Sequence, residues 1–230
     1  MTQPDRRPDD DTRDALIMAV LPHVPFDGWG PVALKRAAES AGLAADVVPR
    51  LFPDGATGAV TYFMAMADRL MVEDLAPMDL TKLKIRERIA TAIKVRLTRW
   101  QPHREAVRRA LAIAPFPPLA PRALSGWYKT VDAIWRAIGD KSIDFSFYTK
   151  RALLAGVYAS ALLYWLEDRS DESAASWAFL DRRIADVMRI PKLRGEVTEA
   201  LKVVPNPVRI ARRIFERVER NWSVRGPRQS

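Results

Sequence analysis

Asp140 and Asp144 lie four residues apart beside Phe145, Phe147, Tyr148, Lys150 and Arg151, a setting in which two carboxylates could act as general acid and base. Such chemistry needs a nucleophile or a third polar group close by, and none accompanies them. Helix capping accounts for them better, with Asp144 as the N-cap of a helix opening at Phe145. Imidazole could come only from His23 and His103, far apart in sequence and without ligand spacing around either. The chain has no cysteine, which excludes disulfides, thiolate metal sites and thiol nucleophiles. These residues predict no catalysis, no metal and no cofactor.

The stronger chemical signal is apolar. From Ala152 to Leu166 no residue is charged, and the only polar side chains are the hydroxyls of Tyr158, Ser160 and Tyr164. A helix so apolar around its whole circumference is expected to be covered on every side by protein, lipid or a bound apolar ligand. It is too short to span a membrane, which takes about 18 to 20 such residues. The site this predicts is walled by Leu154, Val157, Tyr158, Ala161, Leu162 and Trp165, with Ile93 and Leu97 opposite. Phe147 and Tyr148 are neighbours at the start of the same helix and cannot both enter one core. One of them is expected on the surface, where aromatics favour partner contact. Trp177 opens the following helix in the same situation.

A second signal lies near the end of the sequence. Asn206 is a good N-cap and Pro207 a good first helical residue. Val208, Ala211, Ile214, Phe215, Val218 and Trp222 then fall on one helical face, with Arg209, Arg212, Arg213, Arg217 and Arg220 around the rest. Such a helix suits an anionic membrane interface, at about 1 kcal/mol per basic residue near the surface. Pro205 and Pro207 loosen its tie to the body, which favours contact with a membrane or a partner over docking as a last helix on the bundle.

The net charge of +9 is concentrated. Ten Lys or Arg between Lys82 and Arg109 face only Glu87 and Glu105, and ten between Lys192 and Arg228 face four glutamates. Stripes of this kind suit nucleic acid or anionic membrane, or simply a solvated helix face.

The elements that must position these residues read as all helical, with no useful strand alternation. Residues 1–11, acidic and proline-bearing, are expected to be a disordered lead without targeting character, which places the protein in the cytoplasm. Helices are expected from Thr12 to Val20, from Pro31 to Gly42, and from Ala44 to about Pro49. Longer ones follow from Ala56 to Leu75, from Leu80 to Ala114 with a break at Pro102, and from Arg122 to Ile138. The run PFPPLAP at 115–121 reads as a rigid linker. Over 12–55 the layout is that of a helix-turn-helix. Its docking helix, however, offers Ala44, Ala45, Asp46, Val47, Val48 and Pro49, with Arg50 as the sole cation, and so lacks donors for phosphates or base edges. The domain reading is a degenerate helix-turn-helix (12–55), a helical body (56–190), a connector (191–204), an amphipathic helix (205–223) and a disordered tail (224–230).

DGWG at 27–30, LFPDG at 51–55, KLKIRERI at 82–89, the run IWRAIGDKSIDFSFYTKRALLAGVY at 134–158 and WAFLDRRI at 177–184 together resemble the ubiquinone-biosynthesis accessory proteins of TetR-like lipid-binding fold. The resemblance covers roughly residues 14–188. It implies an all-α, TetR-like helical bundle, usually dimeric, that no longer binds DNA and has no enzyme activity of its own. It implies that isoprenoid quinone lipids occupy the apolar site and that the amphipathic helix binds the membrane, on the cytoplasmic face of the inner membrane in this chain. It further implies a partner, the di-iron demethoxyubiquinone hydroxylase, to which the lipid is presented. The family's docking patch falls here on Asp132, Ile134, Trp135, Phe147 and Tyr148. Phe147 stands where family members usually carry Trp, so the indole N–H is missing from that patch. The alternative outside this resemblance is a TetR-type transcriptional regulator sensing an apolar ligand.

Overall fold

The computed structural model describes residues 8–44, 46–113, 121–139 and 146–189. Among them are ten α-helices and three short 3-10 turns, and no strand. None of these helices is long and apolar enough to cross a membrane. The chain divides into two compact units, Met1–Ala185 and Asp186–Ser230. Of the second unit only residues 186–189, the end of the last helix, are described.

Helix α1 (Asp10–Val20) starts two residues earlier than its apolar pattern requires, with Asp10 and Asp11 in the first turn, where carboxylates complement the helix dipole. Pro22 and Pro25 do not leave a plain turn. Pro25 sits at the start of a one-turn helix, α2 (Val24–Asp27), a position that needs no N–H donor. Helix α3 (Pro31–Ser40) buries Ala33, Leu34, Ala37 and Ala38, and Gly42 follows it at φ 67°, the left-handed conformation that favours glycine. The next helix, α4, covers only Val47–Leu51.

Helix α5 (Gly55–Leu75) is the spine, burying Ala59, Val60, Phe63, Ala67, Met71 and Leu75 at helical spacing. The long helix expected after it breaks twice. A 3-10 turn at Leu80–Lys82 stands apart, and α6 runs only from Ile85 to Arg99. The Glu87 side chain accepts the Lys84 N–H at 3.0 Å at its start. Pro102 then forces a 3-10 turn at Gln101–His103 before α7 (Arg104–Ile113). Helices α8 (Pro121–Ala137) and α9 (Ser146–Glu167) follow, and α8 closes against both α5 and α9. The N-terminal helices are tied to this body by the ring series Trp29, Phe63, Trp100, with centroids 5.2 and 4.9 Å apart, and by the Trp29 indole N–H donating to the Ala106 carbonyl.

Inside the body lies a polar cluster that the apolar patterns do not announce. Asp68 of α5 accepts from Arg96 Nε of α6 at 2.9 Å and from the Thr130 hydroxyl of α8 at 2.9 Å. The guanidinium lies 5.4 Å from the ring centroid of Tyr158 on α9. All four residues are buried. Burial pushes the Asp68 carboxyl above its ordinary range, while Arg96 and Thr130 pull it back. Removing one partner of such a pair strands a buried charge, so Asp68→Ala is expected to lower unfolding free energy by about 3–5 kcal/mol, read from the urea midpoint. The double substitution Asp68→Leu, Arg96→Met should lose much less, because it removes both charges and fills their volume.

The connection from α9 to the last helix, α10 (Ala174–Arg189), is held by a second network. The Gln101 side-chain carbonyl accepts from Trp165 Nε1 at 3.0 Å, from the Ser173 hydroxyl at 3.1 Å and from Arg104 at 2.9 Å. Glu172 and Ser173 take φ of 47° and 59°, strained values for non-glycine residues. Asp168 compensates by accepting the Ser170 and Ser176 N–H groups, each at 2.8 Å. Partial burial would raise its carboxyl, but hydrogen bonds from Ser176 and Ser170 outweigh this and hold it at about 2, against an ordinary 3.8. Its contribution is therefore present above pH 3.8 and lost as pH falls towards 2. Asp168→Asn should lower Tm near neutral pH, and its deficit relative to the parent chain should close between about pH 4 and 2 in a thermal-melt series.

Candidate functional site

The eight residues expected to wall an apolar site are all buried, from 0% exposure at Ile93, Tyr158 and Trp165 to 5% at Val157. Leu97, Leu154, Ala161 and Leu162 lie between these limits. They come from α6 and α9, which pack together, so the structure does bring the two predicted sides into one region. Neither of the two surface grooves described on this unit contains any of the eight. One groove lies over Ser160, Leu163, Tyr164 and Phe179, the other between the end of α5 and α8.

The protein itself does not cover α9 all round, so of the three coverings expected only lipid or a bound apolar ligand could cover its open side. Ala152, Gly156, Leu163 and Tyr164 are exposed, with Leu163 at 48%. At Ala152 and Gly156 little apolar area meets water, whereas Leu163 and Tyr164 leave large apolar side chains exposed. Part of the open face is screened by Phe179 of α10, whose ring stacks on Tyr164 at 4.5 Å.

The docking patch is divided by burial. Ile134 is completely buried and Trp135 is 6% exposed, so both belong to the core of this chain. Asp132 reaches solvent but is bound at once to Arg151, at 2.6 Å, and Arg136, at 2.7 Å. Phe147 and Tyr148 lie on the first turn of α9, and their side chains fall outside the described residues, as do Asp140 and Asp144. The membrane-binding positions Val208, Arg209, Arg212, Arg213, Ile214, Phe215, Val218 and Trp222 also fall outside them.

The basic stripe from Lys82 to Arg109 is largely engaged within the molecule. Lys82 pairs with Asp79, Lys94 with Asp181, Arg96 with Asp68 and Arg99 with Asp74. Arg108 pairs with Glu105 and Glu167, and Arg109 with Glu105. Arg88 and Arg104 donate to backbone carbonyls, among them those of Leu83 and Asp168. In the helix-turn-helix region α4 starts at Val47, three residues later than expected, and is five residues long, a single turn that offers Arg50 as its cation. The helix-turn-helix outline thus presents one cation on α4, and most of the stripe's cations are already bound within the molecule.

Sequence reasoning missed the Asp68–Arg96–Thr130–Tyr158 cluster, although a signal was there. Asp68 sits four residues after Met64, three before Met71 and seven before Leu75, on the face α5 turns inward. Arg96 stands likewise three residues after Ile93 and four before Trp100. An acid and a base on the inward faces of adjacent helices are the pattern of a buried ion pair.

Comparison with known proteins agrees with this architecture. The COQ9 family model matches residues 120–191, which spans α8, α9 and α10. Among solved structures, a TetR transcriptional regulator from Nitrosomonas europaea superposes with a TM-score of 0.62 at 19% identity, covering 77% of this chain and 98% of that one. At that identity the likeness speaks for the fold, an all-α TetR-like bundle. Ubiquinone biosynthesis protein COQ9, mitochondrial, of Rattus norvegicus is 33% identical over 76% of this chain and 58% of its own length. The protein of the same name from Drosophila melanogaster is 31% identical over 82% of this chain and 61% of its own. The chain thus spans about three fifths of the length of these two relatives. Ubiquinone biosynthesis protein COQ9-B of Xenopus laevis is 31% identical over 87% of this chain and 70% of its own length. On these similarities the chain belongs to the COQ9 family.

Proposed function

We propose that this chain is a non-catalytic, lipid-binding protein of ubiquinone biosynthesis. It binds isoprenoid quinone intermediates and presents them at the membrane to the demethoxyubiquinone hydroxylase. Membership of a family whose relatives are named for ubiquinone biosynthesis supports the pathway. The observation that carries lipid binding is the apolar wall of α6 and α9, extended by the open apolar face of α9. A prenyl chain is a flexible apolar ligand that needs such a surface and no polar partner along its length. The polyprenyl tail would enter by parting α6 and α9 or by lying along the open face, past Ala152 and Gly156 and against Leu163. The amphipathic helix at 205–223 would supply the membrane contact and carry the protein to the bilayer that holds the lipid. The relatives' names place them in mitochondria; for this chain the proposed site of action is the surface of the membrane containing its quinone. A homodimer remains part of the proposal.

Native mass spectrometry after gentle purification should show co-purifying prenyl-quinone or uptake of added ubiquinone; neither signal appearing would overturn lipid binding. Docking has its own test. Tyr148→Ala should weaken association with the hydroxylase in a pulldown while leaving the thermal melt unchanged. Trp135→Ala cannot serve as the matching surface variant, because truncating a buried Trp costs about 3–5 kcal/mol and would change the fold.

A further inference from the structure

One end of the body, where α5 hands over to α6, has features that the proposed function does not use. Pro77 follows the end of α5, and two large apolar side chains here lie in water: Met78 in the exposed turn, at 43% exposure, and Ile85, the first residue of α6, at 39%. Lys82, Lys84 and Arg86 stand between and beside them, all exposed. Behind this turn a groove of about 770 Å³ runs between the end of α5 and α8. Its floor is apolar, formed by Val72, Leu75, Ala133 and Ile138, and its rim holds Arg88, Lys129 and Arg136.

The charge here is one-sided. Six cations, Lys82, Lys84, Arg86, Arg88, Lys129 and Arg136, face three carboxylates among the described residues, Asp79, Glu87 and Asp132. Asp132 is further shared with Arg151. Arg88 holds the turn in place by donating to the carbonyls of Leu83, Thr81 and Ile138. Lys84 and Lys129 have no carboxylate partner among the described residues, and their flexible stems can lift an ammonium group above an apolar surface. An occupant must therefore supply negative charge at the rim and apolar matter at Met78, Ile85 and the floor. Nucleic acid and free phosphate supply only the first. An anionic phospholipid surface supplies both in one layer.

We propose that this end of the body is a second membrane-contact surface, with Met78 and Ile85 inserting among anionic headgroups that Lys84 and Lys129 bind. The groove behind the turn receives one headgroup and the first carbons of its chains. The contact is separate from the amphipathic helix at 205–223. Because Asp132 lines the same groove, engagement here would hold the α8 side of the docking patch at the bilayer.

The absence of cysteine makes a direct test possible. Met78→Cys in the full chain, and Ile85→Cys independently, would carry a single polarity-sensitive nitrobenzoxadiazole label. The probe is a phosphatidylcholine vesicle with or without phosphatidylglycerol, and co-sedimentation records total binding. Labels at both positions should shift to the blue with anionic vesicles and be quenched by spin-labelled lipid, with little response to neutral ones. Lys84→Gln and Lys129→Gln should each weaken that response by about fivefold, and added salt should weaken it further. Sedimenting protein whose labels stay aqueous would overturn the proposal and leave membrane contact to the terminal helix. An equal response in the lysine variants, or with neutral vesicles, would overturn it as well. Quinone retention in native mass spectrometry is unaffected by any of these outcomes, so the two proposals fail separately.

Discussion

The arrangement of the body depends on one buried ion pair. Asp68 and Arg96 sit on α5 and α6, the Thr130 hydroxyl from α8 completes the carboxylate's bonding, and the Tyr158 ring on α9 lies against the guanidinium. Removing two charges from water costs several kcal/mol each and is offset only when their geometry is kept. The cluster thus adds a directional constraint between four helices to the apolar packing that also holds them.

The candidate site inherits its geometry from that constraint. Ile93 and Leu97 flank Arg96 on α6, and Tyr158 lies in the middle of the apolar run of α9, so the ion pair fixes the two walls against each other. On α8 the first turns after Thr130 carry Asp132, Ile134 and Trp135. Ile134 and Trp135 are buried, and their part in any docking surface is to support it from beneath. Asp132, tied to Arg151, joins α8 to α9, the helix on which Phe147 and Tyr148 lie.

The same geometry accounts for much of the basic stripe in a chain of net charge +9. Most cations between Lys82 and Arg109 meet carboxylates or carbonyls within the molecule, and Lys94, Arg96, Arg99 and Arg108 meet carboxylates on other helices. The distribution of charge that remains is uneven, and it favours the end of the body where Lys84 and Lys129 lie beside exposed Met78 and Ile85. The strained turn at Glu172 and Ser173 shows the opposite use of polar groups. There Gln101, Arg104 and Asp168 stabilise a backbone that would not hold its shape alone.

By itself the sequence determined the all-α class, the break at Pro102, the glycine cap at Gly42, the apolar stripes of α5, α6 and α9, and the absence of thiol chemistry. Each follows from interactions between residues near in sequence, where helical period and backbone preference act directly. It also carried the family resemblance, through the long run from Ile134 to Tyr158. Tertiary structure alone decided the partners of charges and the coverage of faces. Asp68 and Arg96 are 28 positions apart, Asp14 and Arg69 are 55, and Arg104 and Asp168 are 64; the helical period can show that Asp68 and Arg96 each face inward, but not which group each one meets. It also decided that α9 keeps an open side while Ile134 and Trp135 do not, because exposure depends on which helices arrive next to a face. The period of one helix says nothing about that.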